Sequence, residues 1–533
     1  MNSRNKKKDW FRLKRYPHIG MPLELKDRKW LAPYVKDKRA ISKHAFYPFI
    51  HRKIKVRRFR RKINDDGTRS KLRISSSKSR EIYFSNHIDS NIFSYYSELL
   101  SIEYEKTIRN LNIDTCVTAY RKIKLDATKL KSRNKCNIDF ANDVFKYVKA
   151  NKGKDLVAIT FDIKSFFDSL DHKILKKYWK KVINSGEVLP PDHYNVFRNI
   201  TKFSFIEEND LFEQYKNQIY IEKKPKQFDM VSIQKKKYFR NKKAVAYCSE
   251  EEIDKLRLLG LIKANKYIYE SGEKSGLRTK GIPQGSPISA TLANIYMTDF
   301  DKHTNDLISK MGGIYQRYSD DMVAICPIEN EAEVFNHFSR NLINYRLEIQ
   351  ENKTQIFHFL FNEKQNRHFC YEKNLFTNTL QNNTKFEYLG FQFDGFITLI
   401  KNSSLSNYYR KMKRSFARSN FYTYHNKTST RGEVFKSSLY KNFTHLGATR
   451  RRIYNRHPRN KNLFYETQKY DWGNFISYTK LAEKSIIDNN IGNQLKRHWA
   501  KFHLQMRKIE KNVNPICSIK TTSNMSPITF SKL

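Results

Sequence analysis

Apolar positions recur with different periods along the chain, and each period predicts an element. Residues 155–162 (DLVAITFD) are an apolar run opened by a charge, the pattern of a buried strand. Residues 314–326 split into two short apolar pieces around Ser319-Asp320-Asp321, as a β-hairpin would. Ile88, Ile92, Tyr95, Tyr96 and Leu99 fall at helical spacing within 86–111, and Val334, Phe335, Phe338, Leu342 and Tyr345 do so within 330–349. Helices are also expected over 170–183 and 288–303, and a tight loop over 281–287. Ile54, Val56 and Arg58 alternate ahead of Asn64-Asp65-Asp66-Gly67, which predicts a basic hairpin. Residues 385–400 predict two strands with a turn at Asp394-Gly395. Two stretches show little period. Residues of about 184–280 are rich in Lys and Tyr, and are expected to be an insertion of a few helices and exposed basic loops. Beyond 402 the chain is basic and aromatic, with helix expected.

Charge changes the picture most. Lys and Arg number 102 against 53 Asp and Glu in 533 residues, for a net charge of +49 that calls for a polyanion partner. Disorder does not account for it, because 37 Phe and 32 Tyr are enough both to build a core and to stack on bases. Mean hydropathy is −0.75. No run of about 18 apolar residues occurs, so no transmembrane helix is expected. The six cysteines are scattered without a C-x-x-C pair, which argues against a zinc ribbon or a disulfide framework and fits a cytoplasmic protein. Phosphate-loop, H-E-x-x-H and G-x-G-x-x-G patterns are missing from the sequence.

The chemistry concentrates in three segments: Thr160–Asp168 (TFDIKSFFD), Lys280–Pro287 (KGIPQGSP) and Arg317–Asp321 (RYSDD). An Asp at the end of a buried strand and an Asp pair at a hairpin tip can meet on neighbouring strands. Such carboxylates repel one another unless divalent cations lie between them. Two Mg2+ ions there would suit phosphoryl transfer to a 3′-hydroxyl.

Together these segments resemble the reverse transcriptases. FDIKSFFDSLDH is similar to their motif A, GIPQGSPISATLANIYM to motif B and YSDD to motif C; Leu347–Thr354 resembles motif D, and Tyr388-Leu389-Gly390-Phe391 resembles motif E. The resemblance implies an α+β right-hand fold of fingers, palm and thumb. It divides the chain into a basic extension (1–50), fingers (51–150), a palm (151–400) interrupted at about 185–280, and a helical, nucleic-acid-binding thumb region (401–533). It implies metal ligation by Asp162, Asp320, Asp321 and the Ile163 carbonyl. Phe167 would be the gate against a 2′-hydroxyl, Gln284 would line the nucleotide pocket, and Tyr318 would touch the primer terminus. Lys353 would lie near the pyrophosphate as a general acid. Arg80, with Arg73 as its rival, would reach the triphosphate, and Arg121 of Ala119-Tyr120-Arg121 would make a backbone or nucleic-acid contact.

The implied partners are an RNA template or non-coding RNA, a DNA product and dNTPs, with an accessory protein or a second copy left open. The stretch Arg80–Tyr104 looks most like the bacterial defence-associated reverse transcriptases, which implies antiphage defence. Untemplated DNA synthesis on the same fold, a non-catalytic RNA-binding protein and an RNA-dependent RNA polymerase are the alternatives. Within the insertion, Lys223-Lys224, Lys235–Lys237, Arg240 and Lys242-Lys243 interleave with Tyr215, Tyr220, Phe228, Tyr238, Phe239 and Tyr247. This composition predicts cations on phosphates and rings stacking on unpaired bases, with a protein–protein contact in an oligomer as the rival reading.

Overall fold

The computed structural model describes residues 10–64, 69–129, 132–224, 227–268, 274–425, 433–444, 452–456, 464–470, 473–488 and 490–520. It mixes helix and sheet, and the chain divides into two compact units. The first comprises Met1–Arg121, Val157–Ile356 and Lys373–Thr379; the second comprises Lys122–Leu156, Phe357–Glu372 and Leu380–Leu533.

In the first unit the strand Leu156–Asp162 lies beside Asp321–Pro327, the second strand of a hairpin whose first strand is Ile314–Tyr318. Val157, Ile159 and Phe161 enter a core with Trp179, Tyr296, Phe300 and Phe338, and Phe161 stacks on Phe338 with ring centroids 4.1 Å apart. The helix His87–Asn110 buries Ile92, Phe93, Tyr96, Leu100 and Ile108 in the same core. Asn86 caps it, accepting from the Ile88 N–H at 2.8 Å. The expected helix over 288–303 is two, Ser289–Tyr296 and Thr298–Lys310.

The basic hairpin is longer than its alternation suggests, running over Phe49–Ile63 and Arg69–Phe84. Its base is anchored. His51 is buried between Glu81 and Glu207 at 2.6 and 2.8 Å, and its ring stacks on Tyr83 with centroids 4.6 Å apart. Further out, Ile54, Val56, Leu72 and Ile74 are exposed among cations, which discourage edge-to-edge pairing.

The insertion is folded, not loop-rich. Pro191–Thr201 is a helix in the main core, where Phe197 meets Trp179 edge-on. Strand Ser204–Glu207 then pairs in parallel with Phe49–His51. A four-stranded sheet follows, in which Ile219–Lys224 is flanked by Gln227–Val231 and Ala244–Cys248, and His18–Ile19 pairs in parallel with the last of these. Its core contains Ile19, Ile206, Leu211, Phe212, Tyr215, Ile219, Tyr247 and Leu256. This corrects the base-stacking expectation for two rings: Tyr215 and Tyr247 are fully buried and donate to Glu252 and Glu208. Phe239 packs against both Phe212 and Tyr247. Tyr220 and Phe228 are half-buried, and Tyr238 is exposed.

In the second unit, residues 385–400 form three strands, Phe386–Tyr388, Phe391–Phe393 and Thr398–Ile400, where two were expected. The extra turn uses Leu389, left-handed at φ 44°, followed by Gly390. The helix Asn137–Ala150 packs Phe145 on Phe393, ring centroids 4.8 Å apart. Helices Asn402–His425, Lys436–Phe443, Phe475–Ile486 and His498–Lys520 supply a second core through Met412, Phe416, Leu439, Ile476 and Phe502. A strand pair, Arg452–Arg456 with Phe464–Tyr470, breaks the helical expectation beyond 402. Arg450 and Arg451 lie outside the described residues.

Candidate active site

Asp162 ends its strand half-buried, and a clamp beyond it fixes the chain direction. The Asp162 carbonyl accepts from the Gln350 N–H at 2.7 Å, and the Lys164 N–H donates to the Glu348 carbonyl at 2.9 Å. These two bonds flank an antiparallel bridge between Ile163 and Ile349, so the Ile163 carbonyl points away from the bridge. One 3-10 turn later (Glu351–Lys353), Lys353 reaches back, and its Nζ lies 2.5 Å from Asp162 Oδ1. Residues far apart in sequence are thereby brought into one ion pair.

Asp320 and Asp321 sit at the tip of the neighbouring hairpin, the former half-buried and the latter exposed. Tyr318 pairs with Asp321, which leaves Ser319 and Asp320 as a two-residue turn with Ser319 at φ 65°. A fully buried Arg317 stabilises this turn from beneath. It makes a bidentate pair with Asp301 (2.8 and 2.6 Å), donates to Asn294 Oδ1 at 3.2 Å and donates to the Ser319 carbonyl at 3.1 Å. Burial alone would lower the guanidinium pKa, but Asp301 more than reverses this and leaves it raised. Tyr315 donates to the same Asp301 carboxylate at 2.9 Å. Along the hairpin's outer side, the Arg317 N–H and carbonyl bond Cys116 and Thr118, while the Tyr120 and Ser319 hydroxyls lie 3.1 Å apart.

Of the two contacts expected, to backbone or to nucleic acid, Arg121 makes the first. Its buried guanidinium is held by Glu105 at 2.8 and 2.9 Å, and by the Asp114 and Val117 carbonyls. It fixes the loop that supports the acidic hairpin.

The loop 281–287 is tied on two sides. Toward the segment after Asp162, the Gly281 N–H donates to the Leu170 carbonyl (2.8 Å) and the Ile282 N–H to the Phe167 carbonyl (2.9 Å). His172 Nε2 lies 2.7 Å from the Gly281 carbonyl. Toward the long hairpin, the Gln284 carbonyl accepts from the Tyr83 N–H at 2.9 Å. Gly285, at φ 123°, passes so close that a Cβ would sit 2.6 Å from the Tyr83 carbonyl oxygen. Gly285→Ala is therefore expected to push the loop off the hairpin and lower nucleotide incorporation at least about tenfold, with the raised KM of a displaced pocket. Steady-state kinetics across dNTP concentrations check it; parental KM and kcat would show that the loop tolerates the shift.

Register places the two arginines of the hairpin at different distances from this loop. Ile82 faces Gly285, its Cγ2 3.3 Å from the added Cβ. Arg80 lies two residues away on the same face, about 7 Å along the strand. Arg73 has the opposite parity and lies about 30 Å away. Arg80 is exposed on the loop's side. Phe167 is half-buried and touches Phe166 with ring centroids 5.7 Å apart. Gln284 and Tyr318 are also half-buried.

Carboxylate and carbonyl oxygens are the donors a hard divalent cation takes, and in that chemistry Asp162, Asp320, Asp321 and the Ile163 carbonyl fit Mg2+. Among the described residues, no three His, Cys, Asp or Glu side chains are already gathered as a ligand group. The Asp162 charge is balanced by Lys353 instead. Sequence reasoning overlooked Asp301 and Asn294, which hold the hairpin tip through Arg317; no local pattern marks a helix residue as the partner of a strand arginine.

A protein-family model for "Reverse transcriptase (RNA-dependent DNA polymerase)" matches residues 226–393, less than half of the chain. The match contains Gln284, Tyr318, Asp320, Asp321 and Lys353 and begins after Asp162. No curated protein matches the sequence. Among solved structures, a telomerase from Candida albicans in complex with a fragment of telomeric RNA aligns at 12% identity and TM-score 0.34, over 96% of this chain and 68% of that one. An apo telomerase from Candida tropicalis aligns at 13% identity and TM-score 0.34, over 80% and 64%. A truncated form of the latter gives 13% identity and TM-score 0.30, with this chain spanning only 54% of its length. No helix among the described residues is long and apolar enough to cross a membrane. The matched segment, with the turn bearing Asp320 and Asp321 inside it, makes this a chain that contains a reverse transcriptase (RNA-dependent DNA polymerase) domain.

Proposed function

We propose that the whole chain works as an RNA-directed DNA polymerase with a right-hand arrangement of fingers, palm and thumb. The observation that carries this reading is the double tether of the Gly281–Pro287 loop, bound on one side to the segment after Asp162 and on the other to the hairpin bearing Arg80. A nucleotide held at Gln284 would have a metal-binding carboxylate on one flank and a cation for its phosphates on the other.

Asp162, Asp320, Asp321 and the Ile163 carbonyl would hold two Mg2+ ions, which when bound lower the pKa of a 3′-hydroxyl and stabilise the leaving pyrophosphate. The protein's own groups orient the rest. Arg80 draws the triphosphate, Gln284 lines the base side of the pocket, and Tyr318 sets the primer terminus beside the acidic turn. Lys353 carries a proton on Nζ next to Asp162, where it can be given to the leaving phosphate oxygen. Phe167, packed on Phe166 and fixed through its carbonyl to Ile282, stands under the sugar. An antiphage role with a bacterial non-coding RNA as template is the biological setting we favour, on the resemblance of Arg80–Tyr104.

Incubating the protein and its co-purified nucleic acid with Mg2+ and the four dNTPs, then sequencing the product, tests the reading. DNA complementary to an RNA in the sample supports it. Product made equally well after RNase treatment points to untemplated synthesis, and no product at all rejects it. Phe167→Ala is expected to raise ribonucleotide use relative to dNTPs by about 10- to 100-fold, the equivalent of ~1–3 kcal/mol of lost steric rejection. Single-nucleotide competition measures it; an unmoved ratio would make Phe167 a packing residue.

A further inference from the structure

The insertion, the N-terminal segment and the base of the long hairpin together build a cleft of about 770 Å3, whose described lining residues include Arg15, Arg52, Lys236, Lys237, Arg240 and Lys243 but only two carboxylates, Glu208 and Glu222. Both carboxylates are committed. The Glu208 side chain is buried and accepts from Arg52 Nε at 2.8 Å, Lys236 Nζ at 3.1 Å and the Tyr247 hydroxyl at 3.1 Å. Burial would raise its pKa, yet the hydrogen bonds from Arg52 and Lys236 leave it lowered, so it stays charged and paired. Glu222 is taken by Arg15 at 2.8 Å. Those two groups absorb Arg15, Arg52 and Lys236 and leave a surplus of three cations.

Lys237 in the turn Lys236–Tyr238, Arg240 in the short helix Phe239–Lys242 and Lys243 at its left-handed cap (φ 53°) are all exposed, and all three line the cleft. The rings lining the cleft are not available for stacking. Phe239 is packed between Phe212 and Tyr247, while Tyr16 stacks on His87 and donates to the Ser85 carbonyl at 2.7 Å. The exposed ring of Tyr238, outside this lining, lies under Lys237 Nζ at 5.0 Å from its centroid. A concave wall with surplus cations and no free ring among its described lining residues recognises phosphates and not bases.

We propose that this cleft is an accessory site for the sugar-phosphate backbone of RNA, gripped by Lys237, Arg240 and Lys243 without regard to sequence. The proposal takes from the polymerase reading only that RNA is the polyanion at hand.

The test compares the parent with the triple variant Lys237→Gln, Arg240→Gln, Lys243→Gln, using a labelled oligouridylate of about 30 nucleotides as probe. With three cations fewer to neutralise phosphates, the slope of log K against log salt should become shallower by about 2, at ~0.7 per neutralised phosphate on a single strand. Extension of a short template–primer duplex that fills only the polymerase site should stay within about twofold of the parent. The charge-keeping variant Lys237→Arg, Arg240→Lys, Lys243→Arg should restore the slope, which separates lost charge from lost folding. An unchanged slope overturns the proposal. So does inorganic triphosphate abolishing the difference between parent and variant at micromolar concentration, which would make the cleft a pocket for small polyphosphates. Loss of polyglutamate binding with RNA binding intact would instead mark an acidic protein partner. If the parent makes no DNA but the slope still falls in the variant, the polymerase reading fails and this one stands; DNA synthesis with an unmoved slope gives the reverse.

Discussion

Asp320→Asn is expected to bind RNA like the parent and to lose dNTP incorporation by about three orders of magnitude, the equivalent of ~4 kcal/mol. Asn keeps the size of the side chain and one acceptor oxygen but removes the charge that a divalent cation needs. The half-buried Asp320 is the clean position for this test, because the turn beneath it is held by Arg317 through the Ser319 carbonyl and not by Asp320 itself. Asp162→Asn should be as inactive, but it also strips Lys353 of its partner, so two functions fall together. Lys353→Met separates them: losing a proton donor alone costs about 100-fold or more, while Asp162 remains. Single-turnover incorporation with Mg2+, alongside RNA binding by filter retention, distinguishes the three. An Asp320→Asn protein that still polymerises near the parental rate would remove the acidic turn from the active site.

The elements that carry this chemistry were legible because their signals are local. An apolar run ending in Asp162, two apolar pieces around Ser319-Asp320-Asp321, and a loop of Gly and Pro around Gln284 each announce their backbone within ten residues. What escaped depends on neighbours distant in sequence. The insertion shows weak periodicity because its sheet borrows His18–Ile19, paired in parallel with Ala244–Cys248, and because lysines alternate with rings that turn inward. From composition alone Tyr215 and Tyr247 were indistinguishable from stacking platforms; burial beside Glu252 and Glu208 assigns them to the core. The turn at Leu389-Gly390 was hidden by a leucine in a conformation that glycine or asparagine usually takes. Arg121 shows the same limit from the other side. Its motif left a backbone and a nucleic-acid contact both open, and Glu105 with two carbonyls makes it a buried brace.

Asp301→Asn is the substitution expected to cost most in stability. Arg317 and Asp301 are both fully shielded from water, and removing one charge leaves the other buried without its counter-ion. Breaking such a pair costs about 3–5 kcal/mol, a large part of what holds a domain folded. Asn keeps one acceptor oxygen for the Tyr315 hydroxyl and Arg317 Nε, but it sets an amide N–H donor where Asp301 Oδ2 accepted from Arg317 Nη2, so the bidentate pair is broken. The protein should melt several degrees lower, and its residual activity should fall further than its folded fraction, because the guanidinium that fixes the Ser319 carbonyl is no longer oriented. The double variant Asp301→Leu, Arg317→Met separates the two effects. Replacing a buried ion pair by apolar groups of similar volume is often neutral or better for stability. Most of the melting temperature should therefore return, while incorporation stays low, since methionine cannot donate to Ser319. Thermal melts read against single-turnover rates decide the matter. Recovery of both together would mean that the ion pair supports the fold alone and that the acidic turn keeps its shape without it.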